Sequence, residues 1–296
     1  MTVVPLHHVQ THHDVPLTTV EDVTHFTPWD QPGVSKYRAD LPKKTFMDAL
    51  LINKSSDVLV VVLHGSTDRK VKTLPRFEWM RTLRETDYST LYFSDPCLWL
   101  HPSLELAWYT GWKELDLYPV IADWIARTAQ TIGAQRIIIT GSSGGGLASL
   151  QIATYIPGSI AMPFNAQTAV SKYRTKSVPG LSPQRNYLRR VMPHLQPDVP
   201  LDQLDPGEDW SAPLGARLSA VTRYRDAQPN RVHYVQNSND DRHMADHYQP
   251  FQQVIHHGPN QDRVRFRFYD GPAGHVPPLP RILKAELDSA LAGFEK

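Results

Sequence analysis

At 296 residues the chain suits one large α/β domain or two modest ones, and either size buries a substantial core. Its 41% hydrophobic and 21% charged residues exclude the collagenous and disordered classes, and its length excludes the short disulfide scaffolds. With 31 basic and 30 acidic side chains the formal charge is only +1, so no global field draws the chain to nucleic acid or to an anionic bilayer.

Cys97 is the single cysteine, which forbids an internal disulfide and any C-x-x-C pair for zinc or redox chemistry. A reducing, cytoplasmic compartment is the simplest expectation. The opening MTVVPLHHVQTHHD lacks the basic and apolar regions of a secretory signal. The longest clearly apolar run, VLVVVL at 58–63, falls far short of the roughly 20 residues of a membrane span.

Residues 1–54, rich in His, Thr and Pro, read as an N-terminal extension. Two short antiparallel strands within it, over 37–41 and 46–52, lead into an α/β core spanning 55–296. The run at 58–63 is a buried strand ending at His64-Gly65, and 89–93 is a shorter one. Apolar Leu117, Val120, Ile121, Trp124 and Ile125 at helical spacing predict a helix over 115–132, closed by Gly133. RIIIT at 136–140 is a strand, 146–156 a helix stopped by Pro157-Gly158, and 159–164 the next strand. Residues 171–230 hold eight of the 25 prolines and only short helical patterns, at 186–192 and 214–224. An excursion of that length between core strands predicts a cap insertion over one end of the sheet. VHYVQ at 232–236 and VRFRFY at 264–269 complete the strands, the second alternating arginine with apolar residues as an edge strand with one wet face would. Residues 280–294 predict a closing amphipathic helix. The fold class is therefore α/β, with a mostly parallel central sheet of about eight strands and helices on both faces.

The richest chemistry lies in IIITGSSGGGLA at 137–148, where Gly141, Ser143 and Gly145 place G-x-S-x-G between a buried strand and a helix. Small residues two before and two after let the backbone cross itself, and the central hydroxyl stands at a helix N-terminus whose N–H groups favour negative charge. Ser143 has glycine at both offsets and Ser142 does not, so Ser143 is the expected nucleophile. A phosphate-binding P-loop would need a lysine after the last glycine, and Leu147 stands there.

A serine nucleophile needs a general base, itself oriented by a carboxylate, and after this kind of elbow the order is acid, then histidine. His275 lies just past the last strand, in the loop where that base belongs. Asp240 and Asp241 follow VHYVQ; Asp240, a short turn beyond the strand, is placed ahead of Asp241, and Asp270 reads as a turn cap. The oxyanion hole calls for two backbone donors, expected from Gly144 and from Ser66 in the loop HGSTDR at 64–69, with Gly65 allowing close approach of substrate.

His64-Gly65, the elbow, the acid after VHYVQ and Gly274-His275 stand in an order that resembles the α/β-hydrolase superfamily over nearly all of residues 57–294. The resemblance implies the α/β-hydrolase fold, an eight-stranded sheet and the triad Ser143, Asp240 and His275. More narrowly, LELAWYTG at 104–111, the GSSGGG elbow and FNAQT at 164–168 are similar to a bacterial subgroup associated with surface-glycan biosynthesis. That likeness implies O-acetyl ester cleavage or transfer, although Ala166 stands where the subgroup's pattern has proline.

Asn165 and Gln167 follow a core strand at the same sheet end and are expected to line the site and contact substrate. Neither the His7, His8, His12, His13, Asp14 cluster nor Asp241, His243, Asp246, His247 has the spacing of a zinc motif, so no metal and no cofactor is assigned. Trp108, Tyr109 and Trp112 read as core or pocket wall. Lys172, Arg174, Lys176, Arg185, Arg189 and Arg190, with no acidic residue among them, form either a solvated face or a rim that would draw an anionic substrate. The chain thus reads as a serine hydrolase of a small-molecule or glycan-linked carboxylic ester. Its rivals are a glycan O-acyltransferase with the same triad and a non-catalytic binding module; a nucleic-acid partner and a membrane span are excluded.

Overall fold

The protein was analysed as a computed structural model, which describes residues 3–173, 183–198, 200 and 209–293. Its strands are β1 (Leu17–Val20), β2 (Gly33–Leu41), β3 (Thr45–Asn53), β4 (Val58–Leu63), β5 (Ser89–Ser94), β6 (Gly111–Trp112), β7 (Leu115–Asp116), β8 (Arg136–Ser142), β9 (Ile160–Phe164), β10 (Arg231–Asn237) and β11 (Val264–Tyr269). Nine of them form one sheet in the order β1-β2-β3-β5-β4-β8-β9-β10-β11, while β6 and β7 make a separate small ribbon. From β5 to β11 every neighbouring pair is parallel; β3 is antiparallel to both β2 and β5.

The helices are α1 (Met80–Leu83), α2 (Leu117–Ile132), α3 (Gly144–Ala153), α4 (Pro183–Arg190), α5 (Ala220–Arg223), α6 (Asp241–His243), α7 (Gln249–His257) and α8 (Pro280–Ala292). Strand period sorts them onto two faces. Alternate residues of β4 enter different cores: Leu59, Val61 and Leu63 belong to the one that holds Ile121 of α2, Leu147 of α3 and Phe251 of α7, whereas Val58, Val60 and Val62 belong to the one that holds Leu83 of α1 and Leu287 of α8. A strand buried on both faces needs apolar residues at every position, which is why VLVVVL shows no alternation. The edge strand β11 exposes Arg265 and Arg267, as its alternating sequence predicts, but the alternation breaks at its end, where Phe268 is exposed and Tyr269 buried.

Features of both the sheet and the helices depart from the sequence reading. The sheet has nine strands instead of eight, because LTTV at β1 adds a short parallel strand outside β2; four half-exposed residues carry too little pattern to announce themselves. Helix α7 was not anticipated, although Phe251, Val254 and Ile255 have helical spacing and Pro250 marks its start. In the described part of 171–230, α4 buries Tyr187 edge-on against Trp108, with ring centroids 5.1 Å apart, so this segment lies beside the elbow. Arg174 and Lys176 of the basic cluster lie outside the described residues.

Candidate active site

Ser143 stands between the last residue of β8 and the first of α3, with φ 58° and ψ −117°. A non-glycine residue keeps such a conformation only where its surroundings over-determine it. Here a Cβ on Gly145 would meet the Leu63 carbonyl oxygen at 2.2 Å, and one on Gly141 would meet it at 2.5 Å. The two glycines thus let the turn press against the end of β4. Ser142 is instead an ordinary strand residue opposite Phe164. Ser143 Oγ accepts a 2.8 Å hydrogen bond from Gln167 Nε2, and the Trp108 indole N–H donates to Gln167 Oε1, fixing which end of the amide faces the serine. Gly144 opens α3, where an N–H has no acceptor within the helix.

The turn after β10 brings Asp240 to His275, whose Nδ1 lies 2.7 Å from Asp240 Oδ2. Asp241 is exposed in the first turn of α6, and Asp270 accepts a side-chain bond from Asn239 Nδ2 at 2.6 Å. Asp240 Oδ1 is also occupied, by the backbone N–H of His243 at 3.3 Å and by His243 Nδ1 at 3.2 Å. Burial by itself would push the Asp240 carboxyl up, but its bonds to His243 and His275, with the positive charge those rings can carry, hold it well below the ordinary carboxylate range.

The loop after β4 is held from several sides. His64 is buried, its Nε2 accepting from the Asp95 N–H at 3.0 Å; burial lowers its proton affinity to a pKa of about 3, so the ring is neutral. Glu78 accepts from the Gly65 N–H at 3.0 Å and pairs with Arg76 at 2.8 Å, while Arg76 donates to the Ser66 carbonyl at 2.9 Å. The Gly65 amide is therefore engaged. Among the described residues the Ser66 N–H has no protein acceptor.

Ser66, Ser143 and His275 share the wall of a cavity of about 180 Å³ with Arg76, Glu78 and Tyr173. A second cavity of about 430 Å³ adjoins it at Tyr173 and His275 and runs past Asn239, Asp241 and Arg242. Among the described residues, no hydrogen bond joins Ser143 Oγ to His275. Asp240, His243 and His275 bring potential metal-ligand atoms within 4.8 Å of one another. Their geometry suits an ion poorly, because the two imidazoles are stacked 3.7 Å apart at 6° and their in-plane lone pairs run side by side instead of converging.

No family model and no curated protein matches the chain. Solved structures do. An S-formylglutathione hydrolase from Agrobacterium tumefaciens aligns over 90% of this chain and 96% of its own, at 15% identity and a TM-score of 0.55. A capsule O-acetyltransferase of Neisseria meningitidis serogroup A aligns over 90% and 97%, at 12% identity and a TM-score of 0.54. A glycosylation-associate protein complex from Streptococcus agalactiae aligns over 86% of this chain and 45% of that one, at 15% identity and a TM-score of 0.57. The chain has the α/β-hydrolase fold.

In an α/β-hydrolase fold the crevice at the carboxyl ends of the parallel strands is the usual place for chemistry, and Ser143, Asp240 and His275 all follow such ends, after β8, β10 and β11. Asn165 has its side-chain amide bonded within the protein. It is buried at φ 45°, its Nδ2 donates to Tyr269 Oη at 2.7 Å and to the Val276 carbonyl at 3.0 Å, and its Oδ1 accepts from the Asn237 N–H at 2.7 Å. It ties the turn that carries Asp240 to the loop that carries His275. Gln167 reaches Ser143 itself. His243 and the Arg76–Glu78 pair escaped sequence reasoning; His243 stands three residues after Asp240, a spacing at which side chains meet on a helical turn, and that signal was available.

Proposed function

We propose that the protein is a serine hydrolase that cleaves a carboxylic ester through an acyl-enzyme on Ser143. The observation that carries this reading is one cavity walled by a serine in a strained strand-to-helix turn and by a histidine whose far nitrogen is held by a buried aspartate. In the proposed cycle Ser143 turns its hydroxyl from Gln167 toward His275 and attacks the acyl carbon, passing its proton to His275 Nε2. Asp240 keeps Nδ1 protonated and steadies the imidazolium. The N–H groups of Gly144 and Ser66 receive the oxyanion. The ester C–O bond then breaks, the alcohol leaves with the proton from His275, and water repeats the sequence to free the acid and Ser143. No step calls for a cofactor. The single buried Cys97 agrees with the cytoplasmic location proposed for this activity.

A fluorophosphonate probe tests the reading, because only a serine activated by a base attacks it at neutral pH. Peptide mapping should find the adduct on Ser143, and Ser143→Ala should abolish it. An adduct on Ser142, or none, would overturn the assignment. A second reading, glycan O-acyl transfer on the same triad, is favoured by the larger cavity against His275, which would seat an acceptor hydroxyl. Fold likenesses to a capsule O-acetyltransferase and a glycosylation-associate complex are in keeping with it. Turnover of p-nitrophenyl esters of increasing acyl length, with and without sugar acceptors, separates the two by whether the acyl group ends on water or on sugar.

A further inference from the structure

We propose that His243 is a positioning residue for the Asp240–His275 pair, holding the second oxygen of the carboxylate so that the first stays aimed at the base. This inference rests on the triad reading above. Asp240 has two oxygens and each meets one imidazole: Oδ1 lies 3.2 Å from His243 Nδ1, and Oδ2 lies 2.7 Å from His275 Nδ1. The two rings are stacked face to face at 3.7 Å. The His243 backbone N–H also reaches Oδ1, at 3.3 Å, and the ring adds a second, side-chain hold on that oxygen, which keeps the carboxylate from swinging about its last torsion.

The chemistry of the ring supports a specific task. His243 is only 3% exposed, and among the described residues its Nε2 has no hydrogen-bond partner. With Nδ1–H donated to Asp240, Nε2 is a bare lone pair, the least costly form in which an unpartnered imidazole can be buried. A second proton would leave an unpaired N–H and a charge there, and burial accordingly lowers the proton affinity of the ring. Asp240, His275, Arg242, His247 and Tyr173 are the titratable or charged groups around it. A ring present for packing alone would lose nothing as phenylalanine; the Nδ1–H contact is what requires histidine.

The test is the rate of fluorophosphonate labelling of the full chain against pH, with the melting temperature of each variant as control. His243→Phe keeps the stacked face and loses the bond. Its plateau rate should fall about 10-fold, the equivalent of one charge-assisted hydrogen bond. The pH of half-maximal labelling should also move, since Oδ1 of the carboxylate then keeps only its backbone bond. His243→Asn, whose amide can donate from nearly the Nδ1 position, should restore the wild-type profile. Wild-type kinetics in His243→Phe would overturn this inference alone, as would equal losses in both variants with lowered melting temperatures and an unmoved profile. Failure of the wild-type protein to label at Ser143 would overturn the triad reading and this inference with it.

Discussion

At the scale of single residues, Asp240 carries three loads at once: it caps α6, orients His275 and meets His243. Replacing it with asparagine keeps the cap, because one oxygen remains, but turns a donor toward a ring nitrogen that also donates. Asp240→Asn should therefore lower kcat by a factor of about 10³ to 10⁴, leaving the base in the wrong tautomer. Asp241→Asn, at an exposed position, should change kcat little. Steady-state rates on one ester compare the two directly, and the opposite ranking would move the acid by one residue.

At the scale of elements, the elbow depends on how closely the start of α3 approaches the end of β4. Besides the Leu63 oxygen, a Cβ on Gly145 would lie 2.9 Å from the His64 carbonyl oxygen, so the obstacles are backbone atoms that no rotamer change removes. Gly145→Ala should cost about 1 to 3 kcal/mol, the usual penalty of overpacking, and should push the loop bearing Ser66 out of register with Ser143. A urea midpoint indistinguishable from wild type would contradict the proposed contact. The helix α4 offers a second element-scale test. Arg189 and Arg190 are exposed at its end, beside the described edge of the basic segment. Changing both to glutamine should reduce kcat/KM for an anionic ester more than for a neutral one, and the difference should shrink with salt, because exposed charges are screened beyond about 10 Å at 0.1 M. Equal losses for both esters would point to damaged packing, and no loss for either would favour the solvated-face reading.

For the whole molecule, buried histidine governs the response to acid. Burial lowers the proton affinity of His64, His233, His243 and His247 in the folded state. A depressed folded pKa means that the unfolded chain binds more protons, so the stabilising contribution is complete above the free-histidine pKa of about 6.5 and declines as pH falls below it. His64 should add to this decline from pH 6.5 down toward its folded value of about 3. The urea midpoint should thus fall between pH 7 and pH 5. A midpoint that holds or rises over that interval would mean these rings take up protons in the folded state.

What the sequence determined by itself was whatever depends on neighbours along the chain. The strand runs, the helix over 117–132 with its glycine cap, and the elbow at 141–145 were legible because period, cap and turn chemistry act within a few residues. The order of Ser143, Asp240 and His275 was legible for the same reason, each falling just past a recognisable strand. Only the tertiary structure chose between Asp240 and Asp241 as the partner of His275, since the choice turns on a 2.7 Å contact between two loops. It also gave Asn165 its bonds to Tyr269, Val276 and Asn237, set Gln167 on Ser143 through Trp108, and placed His243 against His275. Side-chain amides and imidazoles carry no periodic signal, and which groups they meet is decided by how the carboxyl ends of β8, β9, β10 and β11 converge, a property of the sheet as a whole.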